Sequence, residues 1–207
     1  MGRVGTIRNR WVVWGILLLL IGGCASRPSN IDNACSIFAD ENSWYDSMRQ
    51  VEKKWKLPIH VQLAIIHQES KFTHNAKPPR KRLFWFIPGP RSSTAFGYAQ
   101  VLDGTWKWYK EKTGNSGADR DNFDDAVDFI GWYTDISFTR LGISRWDAEA
   151  QYLAYHEGHN GYRQKTYLKK KWLMQVAKKV KRNASRYYTQ LQKCRDRLEE
   201  SGSIWPF

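Results

Sequence analysis

The stretch from Pro58 to Ser70, Pro-Ile-His-Val-Gln-Leu-Ala-Ile-Ile-His-Gln-Glu-Ser, constrains the fold more than any other part of the chain. Pro58 suits a first helical turn, where its missing N–H leaves no bond unmade. Ile59, Val61, Leu63, Ala64, Ile65 and Ile66 then place apolar groups on nearly every face. A helix of that kind belongs in the centre of a core, so other helices must be packed around it. The run ends on a carboxylate, Glu69. Apolar surroundings favour the protonated form of such a group, and the negative end of the helix dipole adds to the effect. A carboxylic acid kept loaded near neutral pH can protonate a leaving group. On spacing alone a second reading stands beside this one, a structural glutamate at the surface end of a core helix.

The rest of the chain reads as mainly α. Trp44, Met48, Val51 and Trp55 recur at helical intervals over about 42–55. A short helix holding Trp106, Trp108 and Tyr109 is expected after Gly104. Another is expected over about 124–139, with Val127, Ile130 and Thr134 on one side and Gly142 as its stop. Ser144 three residues before Asp147 resembles a capping arrangement for a helix ending near Tyr155. A long C-terminal helix, from about 170 to 199, is periodic in Trp172, Val176, Val180, Tyr187, Leu191, Cys194 and Leu198. There is no alternating strand–helix rhythm and no internal repeat, so strands should be short and confined to about 83–101. Within 77–91, Lys77-Pro78-Pro79-Arg80-Lys81-Arg82-Leu83-Phe84-Trp85-Phe86-Ile87-Pro88-Gly89-Pro90-Arg91 breaks the helical pattern. It suits a sugar-binding lip, a membrane-touching loop, a lid, or a hairpin folding its aromatics inward.

The N-terminus carries Arg3, Arg8 and Arg10 and no acid, followed by an apolar run from Trp11 to Ile21. That run is too short to span a bilayer but has the length of a signal-peptide core. It stops at Ile21-Gly22-Gly23-Cys24, which resembles a bacterial lipobox whose cysteine is acylated. The alternative is an ordinary signal peptide or anchor with an incidental cysteine. The expected organisation is a lipoprotein signal over 1–23, a polar tether over 24–34, one domain over 35–199 and a tail over 200–207. Ala25, where aspartate would signal retention at the inner membrane, favours the periplasmic face of the outer membrane. In that oxidising compartment Cys35 and Cys194 read as one disulfide, or else as two free thiols.

The chain has 33 Lys and Arg against 20 Asp and Glu, a net charge of +13. Such a balance ordinarily suggests nucleic acid. Export argues against that partner and favours envelope polyanions, with much of the charge free to be a solvated face of the last helix. An envelope protein partner is left unidentified.

Three separated segments resemble the lysozyme-like lytic transglycosylases of the SLT type, related to goose-type lysozyme. Glu69-Ser70 followed by Phe72 matches the family's acid at a helix end. Thr94-Ala95-Phe96-Gly97-Tyr98-Ala99-Gln100-Val101-Leu102-Asp103-Gly104-Thr105 matches its second block, Gly-Ala-x-Gly-Leu-Met-Gln-Ile with a following Pro-x-Thr, at Ala95, Gly97, Gln100, Gly104 and Thr105. Tyr98-Ala99 stand where the family has Leu-Met, and Asp103 where it has proline. Ala154-Tyr155-His156-Glu157-Gly158 resembles the third block, Ala-Tyr-Asn-Ala-Gly. The resemblance covers about residues 42–165 and implies a lysozyme-like single domain; a short β-hairpin near the cleft and the long C-terminal helix are read from the residues, and the motifs do not account for that helix. The resemblance also implies peptidoglycan glycan strands as substrate, no cofactor, and Glu69 as single acid and base. Ser70, Gln100 and Tyr98 would line the substrate cleft, Gly97 would let the backbone approach the glycan, and Tyr155 would orient Glu69. Glu157, beside Tyr155, is either a second acid/base or a salt-bridge partner. His156-Glu157-Gly158-His159 lacks the four-residue histidine spacing of a zinc peptidase, so no metal is expected. His67 reads as a satisfied helix residue. A non-catalytic peptidoglycan-binding lipoprotein and a lysozyme-type hydrolase are the alternatives, and the 11 tryptophans suit sugar stacking as well as a core.

Overall fold

The computed structural model describes residues 27–83 and 87–202. The leader, Cys24 with its expected acylation, and the aromatic centre of the 77–91 segment lie outside the described residues.

Among the described residues, seven α-helices and one hairpin follow in the order α1 (Ala34–Asp40), α2 (Asn42–Trp55), α3 (Ile59–Glu69), β1 (Arg80–Leu83), β2 (Ile87–Arg91), α4 (Asp103–Thr113), α5 (Phe123–Leu141), α6 (Ala148–Arg163) and α7 (Lys171–Gly202). A 3-10 turn, Thr166–Lys169, links the last two. The helix from Ile59 to Glu69 is the axis of the molecule. Every residue from Ile59 to His67 is buried, and α2, α5, α6 and α7 all pack against it. Gln62, fully enclosed, donates its amide to the carbonyls of Met48 and Leu57 at 3.0 and 2.8 Å, so even the polar residue of this helix ties it to α2. His67 is satisfied in the same way, its Nδ1 lying 2.8 Å from the Asn183 amide of α7.

Helix α5 begins and ends on local signals. The Asn122 side chain accepts the N–H of Asp125, and Gly142 closes the helix in the left-handed region. Between them a second core layer forms where Trp44 of α2 stacks face to face on Phe123 at 3.8 Å. Phe129, Trp132 and Tyr133 of α5 gather Trp106, Trp108 and Tyr109 of α4 around themselves. Much of the tryptophan content is therefore core.

Three sequence expectations change. Asp147, not Ser144, caps α6, its carboxylate accepting the Ala150 N–H at 3.1 Å. Helix α6 does not end at Tyr155. It passes through Gly158 in a non-helical conformation (φ 73°, ψ 158°) and resumes to Arg163, because glycine supplies a left-handed kink without the penalty of a Cβ. Finally, the described part of the expected tether is not free. Ser29 donates from backbone and hydroxyl to Asp40 at 2.8 Å, and Arg186 of α7 pairs with Asp32 at 2.6 Å. Gln190 accepts from Ala34 N–H at 2.9 Å and donates to the Asp32 carbonyl at 3.0 Å. Polar residues that read as solvated linker here find partners on α1 and α7.

Cys35 of α1 and Cys194 of α7 are joined in a disulfide across a sequence separation of 159 residues. The bridge closes the domain on itself, first helix to last.

Candidate active site

A cavity of about 430 Å³ opens at the C-terminal end of α3. Glu69 contributes from α3, Ala95 and Gln100 to Leu102 from the loop before α4, Thr105 from α4, Phe129 and Tyr133 from α5, and Tyr155 to Gly158 from α6 up to its kink. Each group arrives there for a local reason. Immediately after Glu69 the chain reverses, with Lys71 and Phe72 both in the left-handed region at φ 52° and 62°. Such residues cost about 1–3 kcal/mol each and persist only where packing enforces them. Here Phe72 is buried and stacked on Trp44 at 5.8 Å. Gln100, at φ 49°, is another such residue, on the cavity wall itself.

The carboxyl of Glu69 is only partly accessible, at the foot of an apolar helix. Burial pushes its pKa up to about 7, against the opposing pull of a hydrogen bond from the Tyr152 hydroxyl. Burial, followed by the negative charge of Glu69, in turn holds the Tyr152 and Tyr155 hydroxyls protonated. The site thus presents one carboxylic acid among phenols that cannot ionise before it.

Glu157 is the other carboxylate on the cavity wall, and its surroundings are opposite in kind. Its side chain is 3% exposed, with Lys170 Nζ at 2.7 Å and His156 Nδ1 at 3.2 Å. The Thr166 hydroxyl donates to its other oxygen. Burial alone would raise its pKa; the hydrogen bonds from Lys170, Thr166 and His156 outweigh burial and hold it below the usual range. Glu157 is a salt-bridge partner that clamps α6, just before its kink, to the turn before α7.

The other residues singled out from sequence distribute unevenly. Gln100 lines the cavity, but its amide N–H groups are used by the carbonyls of Ala76 and Gly97 at 2.8 and 2.9 Å, so only its oxygen is left for a ligand. Tyr155 lines the cavity as expected, yet its hydroxyl donates to the Ala99 carbonyl at 2.7 Å rather than to Glu69. The hydroxyl that acts on the Glu69 carboxyl is that of Tyr152, one turn earlier. Tyr98, 3% exposed, is not on the cleft wall; it sits edge-on to Trp44 and Phe123 in the core. Ser70 is buried too, its hydroxyl 3.4 Å from the Ile66 carbonyl. Gly97 faces away from the cavity. A Cβ there would stand 1.9 Å from the Arg120 carbonyl oxygen, so the glycine admits the neighbouring chain, not a glycan. Arg120 fixes this loop from outside, donating to the carbonyls of Thr94 and Val101 at 3.0 and 2.7 Å. It also pairs with Asp103 at 2.8 Å, which gives the residue in the proline position a bond of its own.

Phe129, Tyr133 and Tyr152 were not singled out in the sequence. Tyr152 shares a helical face with Tyr155 by its three-residue spacing, a signal that could have found it. Tyr133 stacks on His159 at 4.2 Å, and His159 Nε2 lies 3.1 Å from Ser137 Oγ. His159 is thereby committed to the core, and no cluster of metal-binding side chains occurs among the described residues.

The cavity thus sets one partly accessible acid, at the end of a core helix, among aromatic side chains. The family model of the Transglycosylase SLT domain matches residues 12–194, and the chain belongs to that family of lysozyme-like lytic transglycosylases. No curated protein matches the sequence.

Proposed function

We propose that this protein is a peptidoglycan lytic transglycosylase in which Glu69 is both acid and base. The protonated carboxyl donates to the oxygen linking N-acetylmuramic acid to N-acetylglucosamine, and the C1–O bond breaks. The carbonyl of the muramic acid N-acetyl group stabilises the charge at C1. The carboxylate then takes the proton of the C6 hydroxyl as O6 closes on C1, leaving a 1,6-anhydro end and Glu69 reprotonated. The observation that carries this reading is the contrast between the two carboxylates of the cleft. Glu69 is held as an acid near neutral pH, while Glu157 is consumed by Lys170, Thr166 and His156. Two-carboxylate glycosidases need a second group free to attack or to activate water, and Glu157 is not free. The basic leader and the Gly22-Gly23-Cys24 sequence support attachment through lipid on Cys24 to the periplasmic face of the outer membrane.

The test is mass spectrometry of purified peptidoglycan digested by the full chain in detergent, beside Glu69→Gln. Anhydro-muropeptides that disappear in the variant are expected. Reducing-end products would make the protein a hydrolase and give Glu157 a chemical role. Binding without products would make it a glycan-holding module.

A further inference from the structure

A second cavity, about 660 Å³, lies against α7 at the other end of two of the helices that build the cleft. His60 and Ala148 line it near the starts of α3 and α6, while Glu69 and Tyr155 line the cleft near their ends. At the helical rise the nine steps from His60 to Glu69 separate the two sites by about 14 Å. The size falls in the range of small-ligand sites, which commonly combine aromatic walls with a few polar groups.

Its walls carry three aromatic rings. Trp146 is 63% exposed and Tyr188 45% exposed; both lie against His60, at 5.2 and 5.1 Å between ring centres. His60 is itself only 8% exposed, and no hydrogen bond to either of its ring nitrogens occurs among the described residues. Burial, then the charge of Arg195, lowers its pKa to about 4, so the ring is neutral and offers one N–H and one lone pair. A buried, unpartnered imidazole on a cavity wall is a group awaiting a partner. Around it stand the hydroxyl residues Ser144, Ser185 and Thr189, the carboxylate of Asp147 and the ammonium of Lys181.

We infer that this cavity is a second glycan-binding site, which takes an N-acetylhexosamine unit of the strand between Trp146 and Tyr188, with His60 hydrogen-bonding its polar edge. Exposed indole and phenol faces suit the apolar faces of a pyranose ring. The hydroxyls, carboxylate and ammonium suit its hydroxyl and acetamido groups. A peptide helix would require an apolar strip, and these walls alternate aromatic and polar groups instead. For a polymeric substrate a second hold raises the effective concentration of the strand at the cleft without adding any contact there.

The test labels the 11 tryptophans of the full-length Glu69→Gln chain with 5-fluorotryptophan, and Trp146→Phe assigns the Trp146 fluorine resonance. The soluble hexamer of β-1,4-linked N-acetylglucosamine is then titrated in detergent. A saturable shift of the Trp146 resonance is expected. Trp146→Ala with Tyr188→Ala should weaken binding there about tenfold or more, as loss of central aromatic anchors does. In the Glu69 background the double variant should raise KM on whole sacculi, with kcat on short soluble chains unchanged. A Trp146 resonance that stays fixed while others saturate overturns the inference, as does an unchanged KM on sacculi in a folded double variant. If the wild-type chain cleaves nothing, the proposed reaction fails separately and the Trp146 resonance still decides the second site.

Discussion

The Tyr152 hydroxyl of α6 acts on the Glu69 carboxyl of α3 and opposes the rise in its pKa that burial causes. Removing it should move the acid the other way. Tyr152→Phe is therefore expected to shift the alkaline limb of the kcat/KM profile above pH 7, because Glu69 stays protonated to higher pH. The maximum rate should fall by about 10–100-fold through loss of orientation. A pH–rate series on soluble glycan strands checks both parts, and a limb that moves to lower pH would contradict the assignment.

Glu69 also makes stability depend on pH. Its folded pKa of about 7 lies above its ordinary 4.5, so the unfolded chain releases this proton first. The fold loses stability as pH rises from about 4.5 through about 7. The full shift is worth up to about 3 kcal/mol. Glu69→Gln should melt higher than wild type at pH 8, with the difference shrinking towards zero below pH 4.5. Paired thermal melts at the two pH values measure it.

Glu157→Gln should affect the fold more than the chemistry. It exchanges charge-assisted hydrogen bonds from Lys170 and Thr166 for neutral ones, a loss of about 1–3 kcal/mol. Because the folded pKa is held low, the difference from wild type should disappear as pH falls through the carboxyl range. The products should remain anhydro sugars. Denaturant titration and product mass spectrometry together separate this from an acid/base role.

At Gly97 the backbone is left-handed at φ 78° and the space for a side chain is occupied by the Arg120 carbonyl. Gly97→Ala is expected to destabilise by about 3 kcal/mol or more, since the clash is with backbone and cannot be relieved by a rotamer. The readout is the denaturation midpoint. A near-neutral result would mean that the 94–101 loop is free to move away from Arg120.

Breaking the Cys35–Cys194 bridge releases a loop of 159 residues. Cys35→Ser with Cys194→Ser should lower stability by about 5 kcal/mol in the chain-entropy description. The melting temperature of the double variant, against wild type with and without reductant, gives the comparison.

The helices most legible in the sequence were those whose packing repeats along the chain. Ile59 to Ile66 announced the central helix by being apolar all round, and Trp44, Met48 and Val51 announced α2 by spacing. Helix α6 was harder, because Gly158 reads as a stop while the chain passes through it and resumes. Glu69 stood out because a carboxylate is conspicuous at the end of such a helix, and the cavity does open there. Its partner did not stand out: Tyr152 and Tyr155 are the same residue type on one face, and only the docking of α6 on Ala99 decides which hydroxyl meets Glu69. Gly97 and Tyr98 stood in a block that signals a cleft, yet their side chains' surroundings depend on Arg120, Trp44 and Phe123, all remote in sequence. Spacing carries no information about such partners. His60 was equally silent, since its meaning comes from Trp146 and Tyr188.

If Cys24 carries the proposed lipid, the pinning of the N-terminal segment to α1 and α7 would also set how far the cleft can range. With Ser29 and Asp32 fastened to the body of the domain, a lipid on Cys24 would sit only four residues from Pro28, at most about 14 Å of extended chain. An enzyme on so short a leash would work on the layer of wall nearest its membrane. Deeper strands would come within reach only by movement of the wall or the membrane.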